Sequence, residues 1–262
     1  MPYFFSPAGK WRTTGRWLMT LTFTCILSLP ASGQTLIVGG YDYPPFMSSQ
    51  NKTGLYHQLM DAIAAESGLT FDWHYYPYAR LNRLFEQGSI HIEVGSSPIW
   101  TKASITPGHY SDGFYHIEDV ALFATDKTLS VKNASDIHGR NIGVVRGYGF
   151  AKFDEAFHSG KAIRTDTKNE LHLLEMLYHN RADAIFISRH VYYHHAIQNE
   201  KYQNFVIGDV IGAYEVGVRV HPSAKHILPL INRAIQTLKL NGTIRAIMSR
   251  DQPLSGIKKP AQ

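Results

Sequence analysis

The chain has 262 residues with a formal net charge of +5, and 44% of its residues are apolar. A chain of this size can bury a core large enough for two compact lobes. Its single cysteine, Cys25, excludes a disulfide-stabilised scaffold, so the packed core must supply the stability.

Residues 1–33 have the features of a cleavable secretory signal. Three basic residues precede the apolar run WLMTLTFTCILSL, and the small-residue sequence ASG follows it. That order predicts cleavage before Gln34 and export to the periplasm. No later segment reaches the roughly 20 apolar residues that a membrane helix needs. Residues 34–262 keep a formal charge of about +2, which gives no indication of a nucleic-acid partner, and we expect them to be soluble.

The segment TLIVGGYDYPPFMSS, residues 35–49, predicts a strand that breaks into a loop with two prolines. Proline fixes φ, so this loop is expected to be stiff. It carries three aromatic rings, on Tyr41, Tyr43 and Phe46. We interpret the rings as a wall that a bound solute covers. The alternative is a hydrophobic staple, in which Tyr43 and Phe46 pack over the next helix.

Two helices and two strands are predicted after this loop. The helical stripes are Leu55, Leu59 and Ile63, closed by Gly68, and Leu81, Leu84 and Phe85, closed by Gly88. Their spacing is that of one face of a helix, and glycine is common just beyond a helix end. The segments SIHIEV and VALFA then predict strands.

The second half of the chain continues the alternation of strands and helices. Strands are predicted at NIGVV, AIRT, ADAIFIS, FVIG and YEVGVRV, and helices at GFAKFDEAFHSG, at RHVYYHHAIQN and near the C-terminus. A further helix is predicted to open at Thr167, because Glu170 three residues later completes a capping-box pattern. The alternation predicts an α/β fold with parallel sheet.

Three loops that follow predicted strands have an unusual composition. They are YDYPPF, GSSPIW at 95–100 and RGYGF at 146–150. Each combines aromatic rings with prolines or glycines, and glycine lets backbone N–H groups approach a ligand closely. Ligands of open parallel sheets bind beyond the carboxyl ends of the strands. We therefore predict that these three loops form one binding site.

The order of these motifs resembles a known family. YDYPPF, GLYHQLMDAIAAESG, GSSPIW, GRNIGVVRGYGF, RADAIFIS and the C-terminal segment from YEVGVRV to IRAIM are similar to the extracellular solute-binding proteins of family 3. These are type II periplasmic binding proteins that serve ABC importers, largely for polar amino acids. The resemblance implies a two-lobed α/β fold of the periplasmic binding protein-like II class with two hinge-crossing strands.

Domain limits and partners are also implied by the resemblance. The first lobe is expected at 34–124 and 213–262, and the second at 125–212. The protein is expected to be a monomer without a cofactor, and not an enzyme. It would close on a small-molecule solute and deliver it to an ABC-transporter permease or a membrane sensor.

Site residues transfer unevenly from the family pattern. Tyr43 and Phe46 match the aromatic residues of the family's cleft, and Ser96 lies where the family presents hydrogen-bond donors. The arginine that grips an α-carboxylate belongs near Ala103, where Trp100 and Lys102 are the nearest substitutes.

The aspartate that grips the α-ammonium in the family is replaced by Ser188. With both ionic groups missing, we expect a solute other than a standard α-amino acid. Arg80 and Arg146 are candidate replacement anchors, since arginine suits bidentate anion recognition. Three further residues would complete the walls of the site: Tyr78, Gly147 and Tyr148.

Two other functions compete with solute binding. His190, His194 and His195 could bind zinc from one helix face, but no acidic or cysteine partner lies at a ligand-like spacing, which favours a solvated helix face. An enzyme of the same fold, such as a dehydratase, would need carboxylates in the cleft. The nearest candidates are Asp42 and Glu93.

Overall fold

The computed structural model describes residues 35–102, 104–125 and 129–251. The predicted signal, Cys25, Ala103 and the C-terminal tail lie outside these ranges. All described residues belong to one compact unit. None of the helices within the described ranges has both the length and the apolar character needed to cross a membrane.

The described residues form nine strands and seven α-helices. The strands are β1 (Leu36–Gly40), β2 (Phe71–Tyr75), β3 (Ile92–Ser96), β4 (His109–Tyr110), β5 (Tyr115–Phe123), β6 (Asn141–Val145), β7 (Ile163–Thr167), β8 (Ala184–Ser188) and β9 (Val206–Val220). The helices are α1 (Leu55–Ser67), α2 (Tyr78–Glu86), α3 (Asp154–His158), α4 (Glu170–Tyr178), α5 (Arg189–Gln198), α6 (Leu228–Leu240) and α7 (Thr243–Met248).

Two groups of parallel strands are joined by two long antiparallel strands. The sheet order is β2-β1-β3-β9-β5-β8-β6-β7, with β4 also paired to β9. The first strand group consists of β2, β1 and β3, and the second of β8, β6 and β7, each internally parallel. Strands β5 and β9 run antiparallel to each other and connect the groups. The predicted α/β architecture is confirmed, and every antiparallel pair involves one of the two connecting strands: β3 and β4 pair with β9, β8 pairs with β5, and β5 pairs with β9.

The predicted lobe limits at 124/125 and 212/213 stay a prediction. Asp119 to Leu122 of β5 pair with β8, so the end of β5 belongs by hydrogen bonding to the second strand group. The β3 and β9 pairing covers the C-terminal end of β9, from Gly217 to Val220. Strand β5 is therefore hydrogen-bonded to the second strand group near its C-terminal end, and strand β9 to the first strand group at its C-terminal end. The two strands are also bonded to each other along their length.

The spacing of apolar residues in the sequence correctly predicts helix α1. Leu55, Leu59 and Ile63 are all buried on one face, as predicted. Gly68 closes the helix with a left-handed φ of 71°, and its N–H donates to the Ala64 carbonyl at 2.9 Å. Full burial of one such aliphatic side chain stabilises the fold by roughly 1.5–3 kcal/mol. The predicted extent and stop of α1 are therefore confirmed.

Strands β2 and β9 differ from what the sequence predicts. Strand β2, Phe71–Tyr75, was not predicted, although its sequence FDWHY alternates aromatic and polar residues; it lies at the edge of the sheet and none of its residues is fully buried. Strand β9 was predicted as two strands. It is one strand of 15 residues, whose polar middle carries the chain between the strand groups.

The predicted capping box at Thr167 is wrong. Thr167 is the last residue of β7, and its Oγ1 donates to the Val144 carbonyl at 3.3 Å. Helix α4 begins instead at Glu170, with Asn169 as the N-cap, whose side-chain oxygen accepts from the His172 N–H at 3.1 Å. The carboxylate of Glu170 is therefore not used in capping and is available to another part of the molecule.

Candidate functional site

The loops after β1, β3 and β6 meet at a small cavity, here called the inner cavity. Its lining is Tyr41, Tyr43, Tyr78, Glu93, Gly95, Trp100, Asp119, Tyr148, Gly149 and Phe150. These residues come from both strand groups and from the connecting strand β5. The cavity volume is about 30 Å³, enough for one or two water molecules. A solute of amino-acid size requires the two groups to move apart.

A second space, the outer cavity, adjoins the first. Its volume is about 510 Å³, and its lining is Tyr41, Asp42, Ser49, Tyr75, Tyr76, Pro77, Tyr78, Ala79, Val145, Arg146, Thr167, Lys168, Asn169 and Glu170. Tyr41 and Tyr78 line both cavities and so lie between them. The outer cavity carries charges of both signs, whereas the inner cavity is mainly aromatic.

Tyrosine rings meet across the cleft. The Tyr78 ring, from the start of α2, is perpendicular to the Tyr148 ring, from the loop after β6, with centroids 4.8 Å apart. Tyr41 lies 4.9 Å from Tyr78 and 5.4 Å from Tyr43. Such pairs are worth about 0.5–1.5 kcal/mol each beyond their burial. The rings therefore hold the two strand groups together in this arrangement.

The tyrosine hydroxyls of the inner cavity are neutral donors at physiological pH. Burial raises the pKa of Tyr41, Tyr43, Tyr78 and Tyr148 above the ordinary value. For Tyr43, the carboxylate of Asp119 raises the pKa further. The cavity wall thus combines apolar ring faces with hydroxyl groups that donate and accept hydrogen bonds.

Asp119 is a carboxylate without a partner at this cavity. It lies on β5 directly opposite Ser188 of β8. Burial raises the pKa of its carboxyl to about 7. Within the described ranges, no hydrogen bond or ion pair reaches this carboxylate. Asp119 is partly buried, and an unpaired charge that is partly removed from water is costly, so it gives the inner cavity a preference for a positively charged or hydrogen-donating group.

Glu93, the other carboxylate of the inner cavity, is fully paired. Arg219 on β9 donates from Nη1 to Glu93 Oε2 at 2.8 Å, and both residues are almost completely buried. Arg219 also donates from Nη2 to the Thr106 carbonyl at 2.7 Å, and its guanidinium carbon lies 3.9 Å from the centre of the Phe85 ring. The charge of Glu93 is therefore balanced within the protein, and that of Asp119 is not.

Glu170 lines the outer cavity and is tied to the tyrosine wall. It is 2% exposed, and Tyr148 donates its hydroxyl to Glu170 Oε1 at 2.5 Å. Burial raises the pKa of the carboxyl to about 7, the Tyr148 hydrogen bond lowers it, and the nearby charge of Asp119 raises it. This bond fixes the loop after β6 on the first turn of α4, and so positions the Tyr148 ring in the cleft.

Four of the residues predicted for the site line the inner cavity: Tyr43, Tyr78, Trp100 and Tyr148. Arg146 is exposed and lines the outer cavity. Gly147 lines neither cavity, but it has a left-handed φ of 93°, and a Cβ placed on it would lie 3.2 Å from Ala79 Cα. The close approach of this loop to α2 therefore depends on glycine.

Phe46 lies beneath the wall and not in it. It is fully buried, and its ring stacks on Tyr43 at 5.2 Å and on Tyr56 of α1 at 4.8 Å. The staple alternative thus describes Phe46 better, while Tyr43 faces the cavity. Ser96 and Ser188 are buried and line neither cavity, although Ser188 is adjacent to the Tyr43 hydroxyl and lowers its pKa.

Arg80 and Lys102 are exposed and line neither cavity. The Arg80 guanidinium lies 5.2 Å from the centre of the Tyr76 ring, and Tyr76 lines the outer cavity. Their predicted roles in the site therefore stay a prediction.

The sequence analysis overlooked several residues of the two cavities, chiefly Tyr41, Asp119 and Glu170. Alternation along β5 could have indicated Asp119, because it lies two residues after the buried Ile117 and so faces the same way. Glu170 was assigned to capping. Tyr41 belongs to the same stiff loop as Tyr43 and had no separate signal.

The three histidines of α5 are not grouped as a metal site. His190 is within hydrogen-bond distance of the Tyr115 hydroxyl, at 2.9 Å. Burial, with His194 adjacent, lowers the pKa of His195 to about 4. Over the residues that the structure describes, no three histidine, cysteine or acidic side chains are placed to hold a metal ion.

No family model matches the chain. Among solved structures, a histidine kinase sensor domain with similarity to periplasmic binding proteins has a TM-score of 0.73 at 20% identity, covering 87% of this chain and 99% of its own. An ancestral arginine-binding protein bound to arginine has a TM-score of 0.70 at 20% identity, covering 84% and 98%. The arginine-, lysine-, histidine-binding protein ArtJ from Geobacillus stearothermophilus has a TM-score of 0.70 at 18% identity, covering 86% and 100%.

These similarities confirm the predicted fold. Each comparison spans nearly the whole of the compared structure, and together they support the periplasmic binding protein-like II fold. At identities of 18–20% they establish the fold and leave the solute to be argued from the site itself.

Proposed function

We propose that this protein is a periplasmic solute-binding protein that encloses a small solute between its two strand groups. The observation that carries the proposal is the inner cavity, where four tyrosines and a tryptophan from both groups surround the partly buried carboxylate of Asp119. The fold is shared with an arginine-binding protein and with the sensor domain of a histidine kinase. In this proposal the lobes are 34–124 with 213–262, and 125–212.

Binding would be coupled to a hinge motion. The solute enters when the strand groups separate, and bending is confined to the connecting strands β5 and β9. Closure is then a shift in population, driven by contacts that the closed form alone makes to both groups. The Tyr78 and Tyr148 rings, which touch each other in the closed arrangement, would contact the solute from opposite sides.

The energy available from the rings is sufficient for useful affinity. Covering one tyrosine or tryptophan removes about 150–250 Å² from water, which is worth at most about 4–6 kcal/mol at ~25 cal/mol/Å². Micromolar binding needs roughly −8 kcal/mol after the costs of association and ordering. Two or three rings and one ionic contact therefore meet this requirement.

A standard α-amino acid does not fit the charges of the inner cavity. Among its described lining residues there is no lysine, arginine or histidine to neutralise an α-carboxylate. Arg146 lies at the outer cavity, where water reaches it. The solute is therefore proposed to be small and polar, delivered to an ABC-transporter permease or a membrane sensor, with the protein acting as a monomer.

Thermal unfolding with a panel of metabolites tests this proposal. A ligand that binds only the folded state stabilises it by RT ln(1 + [L]/Kd), about 2.7 kcal/mol at one hundred times Kd. We expect at least one small solute to raise the melting temperature in a concentration-dependent manner. Tyr78→Ala should reduce the shift, whereas Tyr178→Ala, on an exposed part of α4, should not. A panel that leaves the melting temperature unchanged would contradict the proposal.

One observation favours an enzyme as the second candidate. Burial raises the pKa of both Asp119 and Glu170 to about 7, which is where a general acid or base is most effective. An enzyme of the dehydratase type would consume the stabilising solute on incubation. Loss of that turnover in both Asp119→Asn and Glu170→Gln, measured by chromatography of the solute, would favour catalysis over simple binding.

A further inference from the structure

We infer that the solute is an organic ammonium cation without a carboxylate, and that Asp119 is its charge partner within the tyrosine wall. The inference rests on the proposed function, because it names the class of molecule that the inner cavity takes. It depends on three features of the cavity: the balance of charge, the position of Asp119 and the chemistry of the rings.

The inner cavity has one charge that the protein does not neutralise. Its ionisable carboxylates are Glu93 and Asp119, and Arg219 satisfies Glu93 from within the core. Glu170, the next carboxylate along the cleft, has Tyr148 as its donor. Only Asp119 lacks a partner within the described ranges. An anion in the cavity would be repelled by it, while a cation would complete an ion pair.

Asp119 lines the inner cavity from a connecting strand. It belongs to β5, which connects the two strand groups, and lies opposite Ser188 of β8. Its charge also influences the hydroxyls of Tyr43 from the loop after β1 and Tyr214 from β9. The carboxylate is thus reached from both strand groups, and a cation bound to it is enclosed when the groups close.

The walls around this carboxylate suit a cation better than a neutral solute. The aromatic residues of the lining are Tyr41, Tyr43, Tyr78, Trp100, Tyr148 and Phe150. Ring faces carry negative charge density and attract ammonium groups, most strongly for tryptophan and tyrosine and where water is excluded. A partly buried carboxylate within a tyrosine and tryptophan cage is a combination that recognises ammonium groups, including quaternary ones.

Calorimetry and thermal unfolding of the full-length protein test the inference with matched probes. The cations are choline and putrescine, the neutral control is 3,3-dimethylbutan-1-ol, which has the shape of choline without its charge, and the anions are succinate and glutamate. We expect one or both cations to bind and the neutral and anionic probes to bind at least about tenfold more weakly. Binding of choline indicates a quaternary ammonium and binding of putrescine a primary one.

Asp119→Asn provides the decisive variant, because it keeps the shape of the side chain and removes its charge. Cation affinity should fall roughly 10- to 100-fold, the effect of losing one charge-assisted contact. Asp61→Asn, at an exposed position of α1, makes the same change in net charge and should leave affinity unaltered. Circular dichroism establishes that each variant is folded.

Failure of the inference is distinguishable from failure of the proposed function. Stabilisation by neutral or anionic solutes, with no effect of the cations, overturns the inference and leaves a solute-binding protein. Equal cation affinity in wild type and Asp119→Asn also overturns it. Absence of stabilisation by these probes and by the whole metabolite panel removes the proposed function as well.

Discussion

Replacing Asp119 by asparagine is expected to increase the free energy of unfolding at neutral and alkaline pH. Burial raises the pKa of this carboxyl from its ordinary 3.8 to about 7. The folded state therefore holds the proton more tightly than the unfolded state, so the contribution of Asp119 to stability is full below about pH 4 and is lost as the pH rises to about 7. Asparagine has no proton to lose, and the variant keeps this stability.

The magnitude follows from the size of the shift. One pKa unit corresponds to about 1.36 kcal/mol, so the ionised carboxyl costs the folded state up to about 4 kcal/mol above pH 7. Between about pH 5 and about pH 8, the advantage of Asp119→Asn over wild type should grow by about 2–3 kcal/mol. Glu170 titrates in the same range, but it is present in both proteins and largely cancels from the difference.

Urea denaturation followed by circular dichroism measures this difference at both pH values. Glu66→Gln serves as the control, since Glu66 is exposed on α1 and its replacement should give the same small difference at each pH. An advantage of Asp119→Asn that does not change with pH would refute the reasoning, because it would mean that Asp119 is solvated or paired in the folded state. Binding sites commonly keep an unpaired charge although it lowers the stability of the folded protein.

Three further predictions concern the surroundings of this carboxylate. Tyr148→Phe keeps the ring but deprives the buried Glu170 of its hydroxyl donor, and should destabilise the protein by about 1–3 kcal/mol in urea at pH 8; equal stability would mean that water replaces the hydroxyl. Glu93→Gln leaves the charge of Arg219 buried and unpaired, and should lower the free energy of unfolding by about 3–5 kcal/mol in the same assay. A much smaller loss would mean that water reaches this arginine. Arg80→Ala should leave solute affinity unchanged in calorimetry, and a tenfold loss would place its guanidinium in the site.

The sequence was sufficient for elements whose signal is local. The periodic burial of Leu55, Leu59 and Ile63, and the left-handed stop at Gly68, follow from spacing and backbone conformation alone. The same holds for the rings of the cleft, because Tyr43 and Tyr148 lie in loops that the predicted strands place at one edge of the sheet. Local patterns therefore predicted these residues of the inner-cavity wall.

Charge pairing could not be predicted in the same way. Glu93 and Arg219 are separated by 126 positions, and only the register of β3 against β9 brings them together. Their pairing is what leaves Asp119 as the unbalanced charge. The direction of a long side chain is equally hidden in the sequence, as Arg80 shows, because a surface cation and a cleft anchor at the start of a helix have the same local pattern.

Calorimetric titration of a stabilising solute into wild type, Tyr78→Ala and Tyr148→Ala tests the central claim most directly. One ring comes from each side of the cleft. If the solute is enclosed between the strand groups, each substitution should weaken binding by at least about tenfold, while Tyr178→Ala should not. Affinity that depends on one of the two rings alone, or on neither, would contradict enclosure between the two groups.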